Sequence, residues 1–381
     1  MEWRSKVLGL LAGLGCWIAP PVWAQTNLQP ELRGVWLTNV DSDVLFSRER
    51  LRQALARLQR LRFNTLYPVV YNGGYTLFPS ATMAKYAGVS VDPNPAFQGR
   101  DMLQEAIAEG RARQMAVIPW LEYGLMAPED SELVKRNPTW VTRRQDGSAL
   151  VTLGANNEVR LVRLNPAHPE VRQFLLELVQ EIVQKYEVDG IQFDDHFGWP
   201  VDMGYDEFTV ALYQQEHNGK APPSAVRDPE WMRWRARFLT DLWVSIFAKV
   251  RFHRPNAVVS LSPNPRLFSY QAYLQDWYRW ARLGLIDELI VQVYRDNLGT
   301  YATELTAPEL HDLRAKFPVA VGVLTGLRIR NVDMGLISDQ VQLSRLFGLD
   351  GFSYFFYETL GARDGGFQTL HGEQRPRPRR K

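Results

Sequence analysis

Short apolar and aromatic runs of strand length recur along the chain, and a segment with helical periodicity follows each of them. Most of the runs are rich in Val, Ile, Tyr and Phe, which is typical of strands buried on both faces of a parallel sheet. The predicted strands are Arg33–Asn39, Asn64–Tyr71, Met115–Glu122, Gly190–Asp195, Val258–Ser262, Glu288–Tyr294, Val319–Leu324 and Phe352–Tyr357.

The segments between these runs carry apolar residues at helical spacing. Leu51, Leu55 and Leu58 lie on one stripe of the first segment, and Pro169 stands at a favourable first helical position of another. The predicted helices are Ser47–Leu61, Asp101–Arg113, Pro169–Tyr186, Arg227–Arg251, Tyr270–Leu283, Pro308–Lys316 and Ser338–Phe347.

The alternation of strand and helix predicts a parallel sheet, and its eight units predict an α/β fold of the (β/α)8 TIM-barrel type. An open, doubly wound sheet is the alternative. That fold usually has a glycine-rich phosphate turn after its first strand, whereas this chain has Asn-Val-Asp-Ser at residues 39–42. Long loops are predicted after strands two, three and four, over residues 72–100, 123–167 and 196–226. All three leave the carboxyl ends of their strands, where the active sites of barrels form.

The two ends of the chain differ from its body. Residues 1–24 have a basic start, a short apolar run and a small residue before Gln25, an order that predicts a cleaved signal peptide and export to the periplasm or the extracellular space. An uncleaved membrane anchor and a lipoprotein attached through Cys16 are the alternatives. No later stretch approaches a transmembrane helix, so stable membrane insertion is not expected after cleavage. We place the barrel at residues 25–365 and a basic, disordered tail at residues 366–381.

Charge and cysteine content argue against several classes of protein. The 381 residues include 44 Lys and Arg against 42 Asp and Glu, and the last seven residues carry five of the positive charges. The body therefore has 39 basic and 42 acidic groups, and a nucleic-acid partner is not expected. Cys16 is the only cysteine, so the cleaved chain would have no disulfide or thiolate metal site. The six histidines lack metal-ligand spacing, and neither a metal nor another cofactor is predicted.

The fourth predicted strand has the most informative sequence, Asp-Gly-Ile-Gln-Phe-Asp-Asp-His at residues 189–196. Strand periodicity places Gln192 and Asp194 on the inner face, with Asp194 at the carboxyl end and Asp195 turned toward the rim. Two adjacent carboxylates repel each other, and burial also disfavours their charged forms. One of the two pKa values is therefore expected to rise, as acid–base catalysis requires. The alternative is structural: Asp194 forms a hydrogen bond and Asp195 caps the loop.

This motif resembles the fourth-strand signature of the glycosyl-hydrolase-like family 10 barrels. The resemblance extends to residues 31–38 (Glu-Leu-Arg-Gly-Val-Trp-Leu-Thr), 63–67 (Phe-Asn-Thr-Leu-Tyr) and 164–172 (Leu-Asn-Pro-Ala-His-Pro-Glu-Val-Arg), and it spans residues 31 to about 360. The family consists of bacterial secreted or lipoprotein enzymes grouped with peptidoglycan-active glycosidases. The resemblance therefore implies a barrel enzyme that hydrolyses glycosidic bonds in a cell-envelope polysaccharide, with the glycan strands of peptidoglycan as the expected substrate.

The fourth-strand pattern is also similar to that of α-amylase-type barrels, in which the last Asp is the nucleophile, and Asp194 holds the matching position. Those barrels carry their acid at the end of strand five, where this chain has Ser-Leu-Ser-Pro-Asn at residues 260–264. A glycosidase needs a second carboxyl group. Glu122 is the first candidate, because strand three neighbours strand four in a barrel. The alternatives are Asp195, Asp296 and Glu358.

Aromatic and polar residues near the predicted strand ends complete the candidate site. The C–H faces of sugar rings pack against aromatic side chains, although a barrel also buries aromatic residues as plain core. The predicted substrate-binding residues are Trp36, Asn39, Tyr71, Trp120, Gln192, His196, Trp199, Tyr294, Asp296 and Glu358. We expect a secreted glycoside hydrolase whose partner is a polysaccharide. The alternatives are a non-catalytic barrel that binds glycan, and a glycosidase that acts on a storage or extracellular polysaccharide.

Overall fold

The predicted strands pair in chain order and close into a parallel barrel. The computed structural model describes residues 28–153, 159–327 and 329–379, so the predicted signal peptide and Cys16 lie outside the described residues. Each barrel strand pairs with the next, and the eighth pairs with the first, which confirms the TIM barrel over an open sheet. The strands are β1 (Leu32–Leu37), β2 (Thr65–Asn72), β3 (two pieces, Ala116–Val117 and Trp120–Leu121), β4 (Gly190–Asp194), β5 (Val258–Ser262), β6 (Glu288–Gln292), β7 (Val319–Leu324) and β8 (Gly351–Phe355).

Helices connect the strands and surround the barrel. The Ser47 side chain accepts a hydrogen bond from the Arg50 N–H and starts α1 (Arg48–Arg60), as expected of an N-cap. The predicted helix Tyr270–Leu283 is instead a pair, α8 (Arg266–Tyr273) and α9 (Trp277–Arg282), because Leu274 takes a left-handed conformation, with φ 54°, that ends α8. The helices are α1 (Arg48–Arg60), α2 (Ala81–Ala87), α3 (Met102–Arg111), α4 (Glu132–Arg136), α5 (Pro169–Lys185), α6 (Glu207–Glu216), α7 (Pro229–His253), α8 (Arg266–Tyr273), α9 (Trp277–Arg282), α10 (Leu298–Leu305), α11 (Pro308–Leu313), α12 (Met334–Leu346) and α13 (Asp364–His371).

The long loops after β2, β3 and β4 contain secondary structure of their own. α2 follows β2, α6 follows β4, and the loop after β3 contains α4 and an antiparallel sheet of three short strands. Buried Asp206 joins two of these loops, because it accepts hydrogen bonds from Thr142 and Asn165, each at 3.0 Å. None of the helices in the described ranges combines the length and the apolar character that crossing a bilayer requires.

A β-bulge in β2 changes which of its side chains face the strand ends. The register between β2 and β3 shifts between Val69 and Tyr71, which leaves one residue of β2 unmatched. Such a shift exchanges the two faces of the strand. Tyr71 therefore packs against Phe174 of α5, with ring centroids 5.9 Å apart, and Asn72 takes the position at the barrel mouth. Tyr71, a predicted substrate contact, therefore packs against α5 and does not lie at the barrel mouth.

A buried polar network lies inside the barrel below the strand ends. Glu288 of β6 is 1% exposed and accepts hydrogen bonds from the Tyr67 hydroxyl at 2.8 Å and the Ser260 hydroxyl at 2.9 Å. Ser260 in turn accepts a hydrogen bond from Gln192 Nε2 at 2.9 Å. The guanidinium of Arg377 forms an ion pair with Glu288 and compensates its buried charge.

The C-terminal residues of the described range fold against the amino ends of the strands. Arg33 of β1 donates hydrogen bonds to two carbonyl oxygens of this segment, that of His371 at the end of α13, at 2.7 Å, and that of Glu373, at 2.8 Å. The prediction of a disordered tail is therefore wrong for residues 366–379. Composition shows that this segment is basic, but it does not show that one of its arginines, Arg377, has a buried partner in Glu288.

We expect Arg377→Ala to lower the free energy of unfolding by about 3 kcal/mol, because the substitution leaves Glu288 buried without its counter-charge. Arg379→Ala is the matched control, since Arg379 is exposed, and it should change that free energy by less than about 0.5 kcal/mol. Equilibrium denaturation of both variants measures the difference. Equal stabilities would contradict the role of Arg377.

Candidate active site

The carboxyl ends of the barrel strands surround a narrow cavity. Its volume is about 70 Å³, which is room for about two water molecules. Acidic and aromatic side chains share this small space, so burial and mutual repulsion act together on the acids. The lining residues are Trp36, Trp120, Glu122, Asp194, Asp195, His196, Ser262, Gln292, Tyr294 and Phe355.

Asp194, the last residue of β4, is a buried carboxylate with several hydrogen-bond donors. It is 2% exposed. Its Oδ2 accepts a hydrogen bond from Trp120 Nε1 at 3.0 Å, and its Oδ1 accepts one from the His196 backbone N–H at 2.8 Å. Burial raises the pKa of Asp194, and the adjacent His196 opposes that rise. The two donors favour the charged form of Asp194 and so oppose the effect of burial on its pKa.

Glu122 follows β3 and is a second acid of the cavity. Burial raises the pKa of Glu122 to about 8; His196 opposes the rise, and the charges of Asp194 and Asp195 add to it. Asn72 Nδ2 donates a hydrogen bond to Glu122 Oε2 at 2.6 Å, which also favours the charged form. The net effect is that Glu122 is mostly protonated near neutral pH and is able to donate a proton.

His196 joins the two acids. Its Nδ1 lies 3.0 Å from the backbone carbonyl oxygen of Glu122 and 3.3 Å from Asp194 Oδ2. A carbonyl oxygen only accepts, so Nδ1 carries the proton. Burial lowers the pKa of His196, but the charges of Asp194 and Asp195 outweigh it and raise this pKa to about 10. His196 is therefore an imidazolium beside Asp194.

Asp195 turns away from Asp194 toward the neighbouring strands, as strand periodicity predicts. Its Oδ2 accepts a hydrogen bond from Asn264 Nδ2, and its Oδ1 accepts one from Gln292 Nε2, each at 2.9 Å. Asn264 follows β5, and Gln292 ends β6. Asp195 therefore ties the ends of β4, β5 and β6 together, which makes it a positioning residue for this mouth rather than a proton donor.

Asp194, Asp195 and His196 each offer one atom that could bind a metal, and these atoms lie within 4.8 Å of one another. Both oxygens of each aspartate already accept hydrogen bonds, and His196 Nδ1 faces a carbonyl oxygen. A cation held by this trio would displace those contacts. The arrangement thus suits hydrogen bonding better than coordination, and the expected absence of a metal stays a prediction.

Aromatic rings form a wall of the cavity. The ring centroid of Trp36 lies 6.4 Å from that of Trp120 and 6.1 Å from that of Phe355, and the Tyr294 ring lies 5.6 Å from Phe355. Gln192 is fully buried and accepts a hydrogen bond from Trp36 Nε1 at 2.7 Å. Gln192 therefore fixes the Trp36 ring from below and does not itself line the cavity. Flat apolar surfaces beside acids suit the C–H face of a sugar ring.

Comparison with known families assigns this barrel. The family model of glycosyl hydrolase-like 10 matches residues 31–344. This chain belongs to the glycosyl hydrolase-like 10 family. Glycosyl hydrolase DigH of Escherichia coli K12 is 26% identical over 314 residues, which cover 72% of this chain and 68% of DigH. Glycosyl hydrolase YngK of Bacillus subtilis 168 is 22% identical over 312 residues, which cover 73% of this chain and 56% of YngK.

Solved structures of glycosidases share the fold of this glycosyl hydrolase-like 10 chain. The glycoside hydrolase domain of PgaB (BpsB) from Bordetella bronchiseptica has a TM-score of 0.65 at 16% identity, over 90% of this chain and 98% of that chain. α-L-Fucosidase isoenzyme 2 from Paenibacillus thiaminolyticus has a TM-score of 0.64 at 15% identity, over 89% of this chain and 48% of that chain. At these identities the likeness shows the fold.

Two residues predicted to bind substrate lie elsewhere in this glycosyl hydrolase-like 10 barrel. Trp199 is fully buried, and its Nε1 donates a hydrogen bond to Thr142 Oγ1 at 3.1 Å, because the loop after β4 folds back on the loop after β3. Trp199, a predicted sugar contact, therefore does not line the cavity. Asp296 is exposed outside the cavity and forms an ion pair with Arg330 at 2.9 Å.

Glu358 and Asn39 also lie outside the cavity lining. Glu358 belongs to the 3₁₀ turn Tyr357–Leu360 after β8, where burial raises its pKa, and it does not line the cavity. Asn39 Oδ1 accepts a hydrogen bond from Asn72 Nδ2 at 2.9 Å. Since Asn72 also bonds Glu122, Asn39 acts on the site through Asn72.

Sequence reasoning missed four site residues. Ser262, Gln292 and Phe355 end their strands on the inward side, so the alternation that located Asp194 was a signal able to find them. Asn72 had no such signal, since the bulge in β2 puts it at the mouth.

We expect the Glu122 carboxyl group to titrate with a pKa of about 8. Carboxyl-labelled NMR measures it, with Glu122→Gln to assign the resonance. Asn72→Ala should raise this pKa further, because it removes a donor that binds the charged form. Asn39→Ala is the control and should shift it less, since the bond from Asn72 to Glu122 remains. A wild-type pKa near the ordinary 4.5 would contradict the account of Glu122.

Proposed function

We propose that this protein is a glycoside hydrolase that acts after export and cleaves the glycan strands of peptidoglycan. The main support for the proposal is that one cavity contains two acids, one with a pKa near neutrality and one with a hydrogen-bond donor on each of its oxygens. Glu122 has a pKa of about 8, and both oxygens of Asp194 accept hydrogen bonds. Glycosidases use such a pair, a protonated acid and a carboxylate, on either side of the bond that breaks.

We assign Glu122 as the general acid and Asp194 as the nucleophile or electrostatic stabiliser. Protonated Glu122 donates its proton to the glycosidic oxygen as that oxygen leaves the anomeric carbon. Asp194 then stabilises the positive charge that develops on the sugar ring, or bonds to the anomeric carbon, and water completes the hydrolysis. The donors from Trp120 and His196 hold Asp194 in place before charge develops, so little reorganisation is required.

The identity of the substrate rests on resemblance. DigH and YngK are both named glycosyl hydrolases, which supports hydrolysis of a glycosidic bond. The fourth-strand motif at residues 189–196 resembles a family grouped with peptidoglycan-active enzymes, which supports a cell-envelope glycan. The predicted signal peptide at residues 1–24 supports export to the periplasm or the extracellular space, where such a glycan lies.

A barrel that binds glycan without cleaving it is the rival function. Binding alone needs no carboxyl group with a raised pKa. In this site Glu122, with a pKa of about 8, lines the same cavity of about 70 Å³ as Asp194. Glycosidase chemistry needs a second carboxyl group beside the first, and the presence of Glu122 in this cavity supports hydrolysis over simple binding.

We expect Asp194→Asn and Glu122→Gln each to reduce turnover of purified peptidoglycan glycan strands by at least about a hundredfold. Asp312→Asn in α11 is the control, since Asp312 is exposed on the outer helices and should leave turnover unchanged. For the wild type, kcat/KM should fall as the pH rises through about 8, because Glu122 must be protonated to act. Full activity of Asp194→Asn would contradict the assignment of this site.

A further inference from the structure

Ser262, the last residue of β5, carries a buried hydroxyl group that the chain itself does not satisfy. It pairs in register with Asp194 of β4, is 1% exposed, and lines the cavity. Its Oγ has no hydrogen-bond partner. Among the unpartnered buried side-chain atoms in the described part of the chain, Ser262 Oγ alone belongs to a residue that lines this cavity.

The neighbouring serine of the same strand gives an internal comparison. Ser260 lies two residues earlier, on the same inward face, and is fully buried. Its Oγ accepts a hydrogen bond from Gln192 and donates one to Glu288, each at 2.9 Å. The barrel therefore satisfies one inward hydroxyl of β5 and leaves the other, at the level of Asp194, free to face the cavity.

A buried hydroxyl group without a partner lowers the free energy of unfolding by about 1–3 kcal/mol. The unpaired Ser262 hydroxyl group therefore destabilises the fold unless a ligand binds it. The adjacent acceptors are already engaged: both oxygens of Asp194 accept N–H groups, as do both oxygens of Asp195. The Ser262 backbone oxygen is also occupied, by Gln292 Nε2 at 2.8 Å. The hydroxyl group of Ser262 is therefore available to donate and accept hydrogen bonds with a ligand that enters beside Asp194.

We propose that Ser262 Oγ binds a hydroxyl group of the sugar unit that lies against Asp194, and so selects sugars that carry a hydroxyl there. This inference rests on the proposed function. A serine hydroxyl both donates and accepts, which matches a sugar hydroxyl. A site built to pair with a substrate hydroxyl also discriminates against sugars that lack it, because its own polar group then stays unpaired.

The test is the affinity of a peptidoglycan-derived glycan tetrasaccharide, measured by calorimetry in a Glu122→Gln background that blocks turnover. Adding Ser262→Ala should weaken binding about tenfold, which is the worth of one hydrogen bond. The thermal midpoint should stay the same or rise, because an unsatisfied hydroxyl is removed. Ser353→Ala is the matched control: Ser353 Oγ is also buried and unpartnered but lies outside the cavity, so binding should not change.

Ser262→Ala is compared in two backgrounds: affinity is measured with Glu122→Gln present, and turnover is measured with Glu122 intact. If neither changes, the assignment of Ser262 is overturned while the proposed hydrolysis stands. A loss of kcat without a loss of affinity would also overturn it, since the hydroxyl would then position water rather than sugar. If the Glu122→Gln variant does not bind the glycan and the wild type does not hydrolyse it, the proposed function is rejected, and the role of Ser262 with it.

Discussion

The contact between His196 and Asp194 is the interaction on which the rest of the site depends. One imidazole nitrogen faces both Asp194 Oδ2 and the backbone carbonyl oxygen of Glu122, so it links the ends of β3 and β4. Its positive charge opposes the rise that burial causes in the pKa values of Glu122 and Asp194. Without that charge, burial would favour neutral forms for both Glu122 and Asp194. His196 Nδ1 lies 3.3 Å from Asp194 Oδ2, so this charged ring directly favours the charged form of Asp194.

The barrel supports this site from below through polar groups that are rare in such a core. Trp36 donates to Gln192, Gln192 donates to Ser260, and Ser260 donates to Glu288, whose charge is compensated by Arg377. The chain of contacts runs from the aromatic wall of the cavity to the C-terminal segment. Each buried group in it has a partner, as a stable polar core requires. The segment after α13 is thus part of the structure that holds the Trp36 ring.

The sequence predicted the fold well, because strand and helix periodicities are local. It also predicted Asp194, Glu122 and Trp120 as neighbours, since inward parity at the carboxyl ends of adjacent strands determines their meeting point. The residues whose positions the sequence did not predict are those placed by non-local geometry. A single extra residue in β2 exchanged Tyr71 for Asn72, and no periodicity reveals where a bulge falls. Trp199 and the tail differ because they pack against segments distant in sequence.

We propose that the acids of this cavity transfer a glycosyl group to water. The most direct measurement is digestion of peptidoglycan glycan strands in water enriched in the heavy oxygen isotope, followed by mass spectrometry of the products. We expect the wild type to produce shorter strands with one labelled oxygen at each new reducing end, and Asp194→Asn to produce no shorter strands. Intact strands, or cleaved products without label, would contradict the proposed hydrolysis.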